Sequence, residues 1–460
     1  MAERSEKDFL GEKLIPQEAY WGIHTQRARH NFSLSSYRLA PLFIKALAAV
    51  KKACCLANFQ LGFLDKEKSG AIICACDEIM EGGLDSQFPV DELQAGAGTS
   101  ANMNINEVVA NRAIELLGKE KGDYGVIHPL EHVNLHQSTN DVFPTALRIA
   151  CIWGLRALSV SFAELQGAFQ KKEKEFAQVI KIGRSELQEA VPVTMGAEFS
   201  AFAEAVGRDR WRTFKCEERL RVVNIGGTAV GTGLTAPRSY IFLVIEKLRE
   251  VTAMPLSRGE NIMGETANAD SFVEASGVLK ASASNLIKIS NDLRILQMLG
   301  EIKLPAVQAG SSIMPGKVNP VIPEAAIQAG IKVIANDLIV TESASRGSLQ
   351  ISEFMPLLAF AILESISLLN NAVLMLKGHL EGVACDAEKC RQYLDHSPTI
   401  ITAFLPRIGY DRAAELVKEF SVSGKGSIRE FLAVKLGDKV VEEVLSPHNL
   451  TSLGYREAGK

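Results

Sequence analysis

Four short segments concentrate groups able to recognise and deprotonate a small acid. The first, Gly310–Glu324, reads GSSIMPGKVNPVIPE. It sets Ser311, Ser312, Lys317 and Asn319 around a Pro315-Gly316 turn, just before a helix expected to open at Pro320. Lys317 offers a compact cation for a carboxylate, and Asn319 offers an amide donor. Either serine can serve as hydroxyl or alkoxide where the surroundings stabilise negative charge. A solvated Ser/Gly hinge has the same composition. The second segment, Gly96–Asn106, carries Thr99, Ser100, Asn102, Asn104 and Asn106 with almost no charge. Hydroxyls and amides at that density suit a carboxylate, and equally suit caps and turns.

The third segment is His128–Asn140, HPLEHVNLHQSTN, followed by Asp141. Ser138, Thr139 and Asn140 precede a helix expected to open at Pro144. Side-chain hydroxyls and free N–H groups at a helix start form an anion site. His128, His132 and His136 have i, i+4 spacing, which invites a metal reading. Pro129 and the lack of acidic companions weigh against it. The fourth segment, GRSELQEAVP (Gly183–Pro192), holds Ser185, Glu186 and Gln188. A carboxylate there could accept a proton or orient an amine. Ser185 and Gln188 could instead form a helix capping box.

These loops need a rigid frame. Apolar spacing predicts long helices over Ala146–Phe176, Pro192–Val223, Asn268–Leu299, Pro320–Glu342 and Glu353–Lys377. Pro192 falls near a first turn, and Pro356 sits in the first turns of the last helix. Helices joined by Gly-rich loops predict an all-α, elongated bundle. The chain divides into a mixed, mainly helical part (1–145), a long-helix part (146–378) and a small helical C-terminal part (379–460). No internal repeat is visible.

Composition narrows the function further. A chain of 460 residues is too long for one ordinary core. A formal charge of −4 offers no basic surface for nucleic acid or membrane. With aromatics at 7%, a large core must rest on Ala, Leu, Ile and Val. The start, MAERSEKDFLGEK, lacks the apolar stretch of a signal peptide. The most apolar run, Leu357–Leu376, contains Glu364, Ser365, Asn370 and Asn371, and reads as a central bundle helix. The eight cysteines form no CxxC pair, which fits buried thiols in a reducing cytoplasm. A P-loop, a Rossmann fingerprint and a zinc motif are missing. The segments together describe a site for a small dicarboxylate or its amine.

In this order the four segments resemble the aspartase/fumarase superfamily, whose signature loop is similar to GSSIMPGKVNP. The resemblance runs from about Gly11 to the C-terminal region. QFPVDELQAGAGTSANMNINEVVANRA, HVNLHQSTNDVFPTALRIA and LQEAVPVTMGAEF place the chain nearest the aspartase branch. The resemblance implies a homotetramer with a core of twenty long helices, five from each subunit. Each site would take segments from three subunits. It implies reversible anti-elimination of ammonia from L-aspartate to give fumarate, with no required cofactor. Divalent metals activate some members, but no motif locates such a site here.

By the same resemblance, Ser311 is the base that removes the Cβ proton, and Lys317 and Asn319 bind the carboxylate. Thr99, Ser100, Ser138, Thr139, Asn140 and Ser185 are further substrate contacts. Glu324 is the acid that, in many members, pairs with a histidine of a GRTHLQ segment, and Arg27 is associated with the site. The chain departs from the family at Ser185 (usually Thr), Glu186 (His or Gln), Thr235 (Asn), Ser352 (Asn) and Lys13 (Arg). A second carboxylate facing Glu324 would share a proton or bind an ammonium. These departures keep three alternatives open: fumarate hydration, cleavage of an N-substituted aspartate, and a dicarboxylate-binding protein without activity.

Overall fold

Apolar residues recur at three- and four-residue steps along the longest segments, and those segments are the longest helices. Residues 2–423 and 426–455 are described in a computed structural model. The chain begins with a hairpin, β1 (Glu3–Asp8) and β2 (Gly11–Pro16), then helices α1 (Ile23–Asn31), α2 (Pro41–Gln60) and α3 (Thr99–Leu116). The first long helix is α4 (Thr139–Glu175). A second hairpin, β3 (Ile180–Ser185) and β4 (Gln188–Thr194), leads into α5 (Met195–Leu220). Then come α6 (Asp270–Leu299), strand β5 (Ile302–Lys303), α7 (Val321–Ser345) and α8 (Met355–Leu380). Strand β6 (Ala384–Cys385) pairs antiparallel with β5 ahead of α9 (Ala387–His396). Further helices lie between these elements and continue to Thr451.

Along α4 the buried residues Cys151, Leu155, Leu158, Phe162, Leu165 and Phe169 alternate steps of four and three. Along α6, Leu279, Leu286 and Leu293 repeat every seven. Such spacing holds one apolar stripe on one side of a helix. Each Leu or Phe withdrawn from water contributes about 2 kcal/mol. By length and composition α4 and α8 could each cross a membrane, yet more than half of each apolar window is buried in protein.

The chain forms two compact units. One comprises the chain up to Ser159 with Arg212–Ala283 and Ile331–Leu369; the other comprises Val160–Trp211, Ser284–Gly330 and the chain from Asn370. The zones expected from the sequence follow chain order, whereas these units interleave segments. In the second unit a C-terminal core of Leu394, Ile400, Phe404, Leu416 and Leu432 closes on Ile182 of β3.

Three local expectations need correction. Pro192 does not open a helix. It lies in β4, paired with Ile182, where β-branched Val191 and Val193 favour a strand, and the helix starts at Met195. Ser185 and Gln188 form no capping box; they face each other across the hairpin. Pro144 lies inside α4, which already opens at Thr139.

Candidate active site

In the second unit, the Gly310–Glu324 loop is closed at its neck by its own backbone. Gly310 N donates to Lys317 O at 2.7 Å, and Asn319 Nδ2 donates to Gly310 O at 2.9 Å. A Cβ on Gly310 would lie 2.8 Å from Lys317 O, so only glycine fits there. Inside the loop, Ser311 Oγ accepts from Ile313 N at 3.2 Å and from Met314 N at 3.0 Å. Two N–H dipoles aimed at one oxygen favour its anionic form. Ser312 and Lys317 are exposed, and Asn319 is half-buried. Glu324, in the first turn of α7, lies 3.5 Å from Arg294 of α6.

In the first unit, the second and third segments meet at two helix starts. Thr99 opens α3 and Thr139 opens α4, and Asn102 Nδ2 donates to Thr139 Oγ1 at 3.1 Å. Thr99 Oγ1 donates to Gly96 O at 2.6 Å, with Ser100 half-buried beside it. Gly98 takes φ +90°, and a Cβ there would strike the Phe143 ring. Ser138 caps α4 reciprocally: its Oγ accepts from Asn140 N at 3.2 Å, and its own N–H donates to Asp141 at 2.9 Å. Asn140 Nδ2 donates to Ala229 O at 2.7 Å, and Asn224 Nδ2 donates to Asn140 O at 2.9 Å. The Gly-rich 224–237 loop therefore backs the Ser-Thr-Asn segment. Asn140 also lines a narrow cavity with Arg148, Glu265, Thr266 and Ser352. Arg148 is buried and paired with Glu265 at 2.9 Å, and Ser352 Oγ has no partner among the described residues.

The remaining expected residues fall elsewhere. Glu186 and Leu187 form the tip of the β3–β4 hairpin, with φ of +52° and +61°. A two-residue turn with both φ positive normally takes Asn-Gly, so backbone strain is held at Glu186. Glu186 is exposed and lines a cavity in which Lys181, Arg184 and Lys288 stand with Glu198 and Asp292. Arg27 of α1 is engaged by Asp8 through two bonds of 2.8 and 2.7 Å, and by Gly11 O. Thr235 is exposed at φ +77°, a backbone that asparagine adopts more readily than threonine. The histidines make local bonds: His128 Nδ1 accepts from Leu130 N, His132 Nδ1 accepts from His128 N, and His136 Nδ1 meets Asn58. Among the described residues no three His, Cys, Asp or Glu side chains gather as a metal group.

The support beneath Ser138–Asn140 was not foreseen. Lys51 of α2 is fully buried and donates to Asn134 Oδ1 and Gln137 Oε1, each at 2.9 Å. Asp141, also buried, accepts from Gly226 N at 3.1 Å and Thr228 N at 2.9 Å. Burial pushes the Lys51 ammonium down to about 8 and the Asp141 carboxyl up to about 6. The one sequence signal was the adjacent pair Lys51-Lys52 in a mainly apolar helix, PLFIKALAAVKKACCLANFQ. Lys51→Met is expected to destabilise the fold by about 2–4 kcal/mol, because buried acceptors lose their donor and Asp141 loses its nearby cation. Thermal denaturation of the two proteins checks this, and an unchanged midpoint would refute it.

A family model described as "Lyase" matches residues 11–335. An aspartate ammonia-lyase from a Bacillus species is 45% identical, over 98% of each chain. A fumarate lyase:delta crystallin from Brucella melitensis bound to cobalt is 45% identical, with a TM-score of 0.94 over 98% of this chain and all of that one. A class II fumarase from Schistosoma mansoni is 32% identical, with a TM-score of 0.89 over 97% of this chain and 98% of that one.

Proposed function

The chain belongs to this lyase family, and we propose that it eliminates ammonia reversibly from L-aspartate to give fumarate. The observation that carries the reaction class is Ser311 Oγ, held by two backbone N–H groups inside a closed loop. The leaving group is argued from the 45% identity to an aspartate ammonia-lyase over nearly the full length. Ser311, as alkoxide, takes the Cβ proton. The substrate carboxylate becomes a dianion gripped by Lys317 and Asn319. The C–N bond then breaks and ammonia leaves.

The partner segments lie in different units: Ser311, Lys317, Asn319 and Glu186 in one, Thr99 and Ser138–Asn140 in the other. We assign the complete site to a homotetramer in which three subunits each give a segment. Exposed apolar side chains on the long helices support an assembly, among them Ile331 and Leu338 of α7, Met298 of α6 and Leu374 of α8. The proposed reaction uses side chains and backbone N–H groups and needs no cofactor. All eight cysteines are free, which suits a cytoplasmic enzyme.

Mixing the purified protein with aspartate is expected to produce fumarate absorbance at pH 7–9 (an assay range, about neutral to mildly basic). Parallel arms with malate and with N-substituted aspartates test the alternatives. Silence with aspartate alongside turnover of a substituted aspartate would move the assignment to that substrate, for which Glu186 provides a carboxylate able to meet a charged amine. Binding of dicarboxylates without any product would place the chain among inactive relatives.

A further inference from the structure

We propose that Cys385 and Cys390 are a modification site: a peroxide-sensitive dithiol that closes reversibly to a disulfide. The geometry is set by a helix start. Asp386 caps α9 by accepting from Lys389 N at 2.9 Å. Cys385 is therefore the residue before the cap and Cys390 the fourth helical residue. Side chains at those two positions pack against each other across the entry to a helix. Here both are sulfurs, and both reach one acceptor. Cys385 Sγ lies 3.5 Å and Cys390 Sγ 3.9 Å from Glu301 O, which also accepts from Asp386 N at 2.9 Å.

The pair is asymmetric in the sense such chemistry requires. Cys385 is partly exposed at the end of β6, while Cys390 is buried. The neighbouring Cys390 and, after it, the charge of Lys181 hold the Cys385 thiol below its ordinary range, against burial and the nearby Glu301 and Asp386 carboxylates, while burial and its neighbour keep Cys390 a thiol. Cys54, Cys55, Cys151 and Cys216 differ: burial raises each one's pKa and leaves it unreactive. In the first step the Cys385 thiolate attacks one peroxide oxygen, the O–O bond breaks, and a sulfenic acid and hydroxide result. In the second, the Cys390 sulfur attacks the sulfenic sulfur, the S–O bond breaks, and water leaves as the S–S bond forms. Overall two thiols are oxidised and one peroxide is reduced to two waters. The side chain of the same Glu301 is fully buried and binds Lys181 at 2.8 Å and Arg184 at 2.6 Å on β3. The dithiol thus adjoins the hairpin that carries Glu186.

The test uses the native protein treated with hydrogen peroxide, then N-ethylmaleimide, denaturation and trypsin. Trypsin cuts after Lys389, between the two cysteines. The expected product is peptide 378–389 joined to peptide 390–391, separating on reduction with dithiothreitol. In Cys390→Ser the sulfenic acid on Cys385 is expected to persist and to be trapped by dimedone. Recovery of the two wild-type peptides separately, each alkylated, after peroxide would overturn the proposal. So would linkage of Cys385 to any other cysteine, or preferential oxidation of the exposed Cys74 with Cys385 untouched.

Discussion

Ser311→Ala is expected to lower kcat by about 10²- to 10⁴-fold, the range for losing a positioned general base, with only a few-fold change in KM. The reason lies in what the residue does and does not touch. A hydroxyl is a poor base at neutral pH, so a serine in this role needs its anion stabilised. The N–H groups of Ile313 and Met314 point at its Oγ, and alanine leaves them aimed at nothing. Those N–H groups lie in an exposed stretch of loop, where water replaces the lost acceptor at little cost. The loop neck is closed by Gly310 N, Lys317 O and the Asn319 amide, none of which the substitution alters. The variant should therefore fold, assemble and bind substrate normally. Ser312→Ala is the matched control and should keep most of its turnover. A Ser311→Ala protein with near-native kcat would remove Ser311 from the role of base, and loss of activity in Ser312→Ala alone would move that role one residue along.

How much of this was readable beforehand differs by element. The long helices were legible because their buried stripes have a period that no other element shares, as Leu279, Leu286 and Leu293 illustrate. The Gly310–Glu324 loop was legible because its residue types are rare in combination and lie within a single stretch of chain. The β3–β4 hairpin was misread. Ser185, Gln188 and Pro192 imitate the start of a helix, and the turn between the strands uses Glu186 and Leu187 where local rules call for Asn and Gly. The support under Ser138–Asn140 was invisible for another reason. Lys51 and Gln137 are 86 positions apart, and Asp141 and Thr228 are 87 apart, so only the folded chain joins them.

Lys317→Met is expected to lower kcat by about 10²- to 10³-fold, a larger change than the accompanying rise in KM. Both effects follow from the charge on the substrate carboxylate, one negative charge when bound and two after proton removal. A cation beside it interacts more strongly with the second state than with the first, so the side chain contributes mainly to the transition state. The loop isolates this effect well. Lys317 holds the neck closed through its backbone carbonyl, while its side chain is exposed in the protomer and makes no demand on the fold. Methionine keeps the unbranched stem and removes only the charge. Lys317→Arg restores charge in a planar, wider group, and should recover part of the lost kcat. Asn319→Ala is a less clean probe, since that amide also ties the neck to Gly310 O. A raised KM with unchanged kcat for Lys317→Met would mean that the lysine serves ground-state binding, and the dianion would then need its cation from another segment, with the buried Arg148 beside Asn140 the first to examine.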